Sequence, residues 1–221
     1  MDELELLKKD WQSREQELPK LSYSDIYQML LKKSSSIVKW IFYISIAEIV
    51  LWTILALVIP NISENFKISN QINDAMGLHN VLIAINVINY LVFGVFIYLF
   101  YKNHRNIKIT DSVKELMKNI LKTRKTVKYF VIYNVGANAL IMLAINIYYY
   151  LNKDHLFQLM SEKYEGFSNI SQESFASVFF IAQFVIGLLF IGLIILFYRV
   201  VYGILLRRLT KNYKELKKIE M

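Results

Sequence analysis

Four apolar stretches, at residues 40–59, 81–101, 129–151 and 176–198, constrain this chain more than any other feature. Each is close to or beyond the roughly 20 residues that cross a hydrocarbon core of about 30 Å. Backbone amides have no water to bond inside lipid, so segments of this kind must close their hydrogen bonds internally as helices. The fold class read from the sequence is therefore an all-α membrane protein with four transmembrane helices, spanning about 37–60, 79–101, 129–151 and 176–202. Composition agrees, with 55% of the 221 residues hydrophobic. The first 39 residues lack the charged, apolar and small-residue pattern of a cleaved signal, so the first span reads as a retained anchor.

Charge predicts the orientation. Between the second and third spans lies KNHRNIKITDSVKELMKNILKTRKTVK, residues 102–128, with nine Lys and Arg against Asp111 and Glu115. Seven more basic residues precede the first span and seven follow the fourth, so 23 of 26 fall on one side. Loops this basic stay in the cytoplasm, which places both termini there. The net charge of +8 then serves orientation and anionic lipid before nucleic acid, which is not an expected partner. Lys102, Arg105, Lys122, Arg124, Lys125, Lys128, Arg207 and Arg208 are the expected contacts with anionic headgroups.

Residues 1–35 read as a cytoplasmic segment of two small amphipathic pieces separated at Pro19, the second opening at Ser22 or Ser24. Leu4, Leu7 and Trp11 share one helical face, and Ile26 and Leu30 fall on the second piece. One apolar stripe cannot make an independent core. These five residues are accordingly the candidates for docking, against a protein partner, the bilayer surface or the cytoplasmic hairpin.

Inside the first span stands Glu48, nine residues past Lys39, which is about 13 Å at helical rise and near the bilayer midplane. An acid there costs about 2.5 kcal/mol or more to insert and has to find a partner. Ser45 shares its face, and counting depth from the basic ends places Asn86, Asn89, Asn134, Asn138 and Gln183 at comparable levels. A buried polar layer of Glu48 with these amides is expected, either fixing helix register or lining a proton or ion path.

Pro60 is expected to end the first span, and a short helix is expected near residues 155–160 in the second external loop. The second span should continue into the basic stretch, with Thr110 or Ser112 capping a new helix whose stripe of Val113, Leu116, Met117, Ile120, Leu121 and Val127 leads into the third. That makes a helical hairpin at residues 102–128, with a further helix at 203–221. The segments 85–102 and 182–199 align through Phe93 with Phe190, Phe100 with Phe197 and Lys102 with Arg199, and 110–118 resembles 210–218. These matches predict a tandem two-span repeat about an axis along the membrane normal.

Catalysis has little to stand on. The chain has no cysteine and three histidines, two of which, His79 and His155, fall on the opposite side from His104. No metal or cofactor site and no enzymatic activity are therefore expected. The segments MDELELLKKDW, KKSSSIVKW and MKNILKTRKTVKYF resemble a group of small four-span inner-membrane proteins of Bacteroidota, some encoded beside extracytoplasmic-function sigma factors. The resemblance implies a bacterial inner-membrane protein whose cytoplasmic N-terminus holds a sigma factor, although the HxxxCxxC pattern of one large anti-sigma group is missing. Three functions stay open on the residues. The leading one is a non-enzymatic membrane protein presenting cytoplasmic helices to a protein partner. The others are an oligomeric transporter or channel-like subunit using Glu48, and a membrane scaffold or assembly subunit.

Overall fold

The computed structural model describes residues 4, 5, 8, 9, 22–108 and 112–220, and the described residues are almost wholly helical. Four long helices, α1 (Tyr23–Ile62), α3 (His79–Lys108), α4 (Val113–Leu151) and α7 (Gln172–Glu220), carry the four apolar stretches, and each is long and apolar enough to cross a membrane. Three short ones, α2 (Glu64–Ala75), α5 (Lys153–Lys163) and α6 (Glu165–Ser168), lie in the two connections at one end.

The ends of these helices follow local chemistry. Ser22 caps α1 in a reciprocal box, its hydroxyl accepting from the Asp25 N–H at 3.3 Å while Asp25 accepts from the Ser22 N–H at 3.1 Å. Ser112 caps α4 by accepting from the Glu115 N–H at 3.2 Å. Pro60 does not end α1 as expected; it sits within the last turn, and the helix stops at Ile62. Nor does α1 break near residue 35. It runs unbroken for 40 residues, about 60 Å at helical rise and twice the hydrocarbon thickness.

The long helices form an up-down-up-down bundle in which each packs on two antiparallel neighbours in the order α1, α3, α4, α7 and back to α1. The buried positions step by threes, fours and, once, seven: Leu30, Ser34, Ile37, Ile41, Ser45 and Glu48 on α1; Phe100, Asn103 and Ile107 on α3; Leu116, Ile120, Thr123, Val127, Phe130 and Asn134 on α4; Tyr198, Tyr202, Leu209, Asn212 and Leu216 on α7. This is the seam spacing of interlocking helices. Of the docking candidates, Leu30 belongs to this core and Ile26 packs half-buried against it, which is the alternative of packing on the cytoplasmic helices. Leu4 is 76% exposed, while Leu7 and Trp11 lie outside the described residues.

Burial is uneven along the bundle. Every fully buried residue of α3 lies in its last turns, and α1 has none beyond Glu48. The apolar faces nearer the other end stay exposed, with Leu57, Leu91, Leu140 and Leu189 all more than half accessible. At that far end a second, smaller core of Ile72, Met76, Leu78, Tyr149, Leu156 and Phe175 closes the bundle beneath α2 and α5. There Tyr148 donates to the Met76 carbonyl at 2.7 Å and Tyr149 donates to Asn73 Oδ1, tying α4 to the first connection. The reversal into α3 needs Gly77, the one described residue with positive φ, at 77°.

The contrast between packed and exposed leucines is measurable. Leu116→Ala and Leu209→Ala, at positions with no exposure, should each destabilise the detergent-solubilised protein by about 2–5 kcal/mol. Leu189→Ala, at a position 65% exposed, should leave the thermal midpoint nearly unchanged.

Candidate functional site

Glu48, on α1, is 4% exposed. Its partners come from α7. The Tyr198 hydroxyl donates to Oε1, and the Tyr202 hydroxyl donates to Oε2 at 3.0 Å. The two tyrosines are one helical turn apart, so both phenols project to the same face of α7 and each takes one carboxylate oxygen. This is a satisfied arrangement for a buried acid, which needs several donors to offset the loss of water.

Further aromatic rings pack against the two tyrosines. Phe130 of α4 lies between the tyrosines and α3, with ring centroids 6.0 Å from Tyr198, 5.7 Å from Tyr202, 5.6 Å from Phe93, 5.2 Å from Phe96 and 5.4 Å from Phe100. Most of these contacts are edge-to-face, the geometry that the ring quadrupole favours. Ser45, one turn below Glu48, is buried and donates to the Phe42 carbonyl at 2.8 Å. The arrangement pins α1 to α7 within an aromatic layer and offers no hydrogen-bonded chain away from the carboxylate among the described residues.

The expected amide layer is replaced by separate bonds. Asn134 is buried and donates to the Phe130 carbonyl at 2.9 Å, and Asn138, exposed, donates to the Asn134 carbonyl at 2.8 Å. Asn89 accepts from the Tyr133 hydroxyl at 2.7 Å, joining α3 to α4. Asn86 is exposed. Gln183 is half-buried, and its Oε1 has no partner among the described residues. The physical reason is competition: an isolated amide in a helix can bond its own backbone one turn back, whereas the phenols have no local acceptor and reach across to α1.

Two further buried rungs were not foreseen. Asn212 donates to Ser34 Oγ at 3.1 Å between α7 and α1, and Asn103 donates to Thr126 Oγ1 at 3.1 Å between α3 and α4. Both lie at the basic end, on the buried seam. The signal that finds Asn212, Tyr198 and Tyr202 is their spacing from Leu209 and Leu216, and Asn103 stands likewise between Phe100 and Ile107. Elsewhere, His79 Nδ1 lies 2.8 Å from Asp74 Oδ1, both side chains exposed, and Asp154 accepts from Gln172. Among the described residues no three His, Cys, Asp or Glu groups gather as a metal site would require.

Of the expected headgroup contacts, Lys102, Arg105, Lys122, Lys125, Lys128, Arg207 and Arg208 are exposed and Arg124 is half-buried. Among the described residues none of these cations pairs with a carboxylate. Lys125 Nζ lies 5.6 Å from the centre of the Tyr129 ring.

The three-residue site behaves as a unit. Tyr198→Phe and Tyr202→Phe should each cost about 1–2 kcal/mol, since each leaves one carboxylate oxygen short of a donor. Replacing the whole set, Glu48→Leu with Tyr198→Phe and Tyr202→Phe, should recover most of that loss because no polar atom is then stranded. Denaturant titration of the four proteins in one micelle checks the non-additivity.

No curated protein and no solved structure matches the chain. Residues 24–221 match the family model described as a domain of unknown function, DUF8845, and the chain belongs to that family.

Proposed function

We propose that this is a non-enzymatic, multi-pass membrane protein whose basic end stands in the cytoplasm of a bacterial cell and holds an acidic protein partner at the inner membrane. One observation carries the reading: the helices of the basic end bury one another instead of lying on the bilayer. From Tyr23 to Lys39 α1 alone adds seventeen residues, about 24 Å of rise, and α3, α4 and α7 keep it company through Ile107, Leu116 and Leu216. An anchor needs no such stalk. With the apolar faces turned inward, its exterior offers Lys32, Lys33, Lys114, Lys118, Lys211, Lys214, Lys217 and Lys218 to an anionic surface.

The same packing moves the apolar docking candidates to residues 1–21, where Leu4, Leu7 and Trp11 stand on one predicted face. The resemblance to four-span proteins encoded beside sigma factors makes a sigma factor the first partner to test. The diagonal placement of α1 and α4, and of α3 and α7, is what a tandem two-span repeat requires. Glu48 supports a transporter less than a register lock, since each of its oxygens accepts from a tyrosine of α7.

Orientation is testable because the chain has no native cysteine. Asn70→Cys should react with an impermeant maleimide on intact spheroplasts, and Lys217→Cys only after permeabilisation; the reverse pattern overturns the proposed topology. Partner holding is read by purifying the full-length protein beside a version lacking residues 1–21 and a Lys211→Glu, Lys214→Glu, Lys217→Glu, Lys218→Glu variant. A soluble acidic protein should copurify with the first and fall about tenfold or more with each of the others. Recovery of membrane proteins only, unchanged by either alteration, overturns the reading. Glu48→Gln should leave partner recovery intact.

A further inference from the structure

Between α4 and α7, where the apolar and basic parts of the bundle meet, lies a groove of about 570 Å³, within the size range of about 300–1,000 Å³ typical of ligand sites. Arg124, Lys125 and Lys128 of α4 and Arg199 of α7 line it, and no carboxylate does. Val131, Ile132, Val135 and Ile195 form its upper wall, toward the more apolar half of the helices. Tyr198 and Tyr202 form part of its floor, and their hydroxyls are turned to Glu48, so the acid lies behind two phenols and not in the groove.

We propose that this groove binds one anionic phospholipid, its phosphate held by Arg124, Lys125, Lys128 and Arg199 and its acyl chain lying along Val131, Val135 and Ile195. Charge complementarity identifies the occupant. Three cations within two turns of α4 and a fourth facing them from α7 repel one another until an anion enters. The apolar wall directly above them matches a ligand with a tail. A free phosphate satisfies the cations and leaves that wall without an occupant, whereas an acidic protein surface has no chain to lay along it. Arg199 was not among the headgroup contacts expected from sequence. Antiparallel packing on α4 brings it to the same groove. The inference is independent of the protein partner proposed above.

The backbone leaves room for the ligand at Gly203, which lines the groove and where an added Cβ would meet nothing within 4 Å. A side chain placed there fills the groove without touching its charges.

The test uses full-length protein in micelles and a fluorescent phosphatidylglycerol, with phosphatidylcholine of the same chains as comparison. Phosphatidylglycerol should bind on the order of tenfold or more tightly than phosphatidylcholine. That preference should be lost in the Arg124→Gln, Lys125→Gln, Lys128→Gln, Arg199→Gln protein. Gly203→Phe should lose binding with every cation in place, and a Lys211→Gln, Lys214→Gln, Lys217→Gln, Lys218→Gln protein should retain it. Equal loss in the last protein would mean diffuse attraction to the basic surface, and unaltered binding by Gly203→Phe would mean that the groove is not used. Either result overturns the proposal, as does full displacement of the lipid by millimolar inorganic phosphate, which would reduce the site to its cations.

Discussion

The tie between Glu48 and the two tyrosines of α7 is the interaction on which the rest of the bundle depends. A buried carboxylate without donors is far more costly than any single apolar mismatch, so α1 and α7 are held to the one register that satisfies it. Ser34 and Asn212 repeat the constraint. Glu48 lies two heptads above Ser34, and Tyr198 lies two heptads before Asn212. The two rungs thus agree on a single antiparallel alignment, and Ile37, Ile41 and Leu209 between them fall into the seam as a consequence. Phe130 carries the alignment across to α3 through its ring contacts with Phe93, Phe96 and Phe100.

The distribution of packing follows from where the hydrophobic effect operates. In lipid there is no gain from removing apolar side chains from water, so helices can keep valines and leucines outward, and the middle of this bundle does so. Beyond the bilayer the same residue types must be covered. Both cores lie toward the two ends of the long helices, the larger around Leu116, Ile120, Leu209 and Leu216 and the smaller around Leu156 and Phe175. The chain is consequently clamped at its ends, with the stretch between them left to contacts with lipid.

Much of this was legible in the sequence, and the misreadings have a common origin. The four long helices follow from runs of apolar residues, a local property, and Ser112 with Glu115 marks the start of α4 by spacing alone. The site required knowing how helices are staggered. Counting depth from the first basic residue of each helix sets Arg199 level with Lys39. The observed pairing of Glu48 with Tyr198 and of Ser34 with Asn212 sets Lys39 near Arg207 instead. That shift sets Glu48 level with Tyr198 and Tyr202, beside the basic Arg199 and not near the midplane as its distance from Lys39 predicts, and leaves Asn86 and Asn138 on exposed faces. Leu30 was left open among three docking surfaces for a related reason: read within residues 1–35 it is part of a short stripe, but read with Ile37 and Ile41 it opens a seam that continues to Glu48.

The cations divide along the same axis. On the last turns of α7, Lys211, Lys214, Lys217 and Lys218 flank the buried Asn212 and Leu216, so their surroundings outside the seam are polar and fit a soluble anionic surface. Arg124, Lys125, Lys128 and Arg199 instead stand directly below an exposed apolar wall. Only an amphiphile satisfies both halves of that second environment. Once the Glu48 tie sets α7 in register and Phe130 packs α4 against Tyr198 and Tyr202, Arg199 faces the α4 cations, so the interaction that orders the core also assembles the groove.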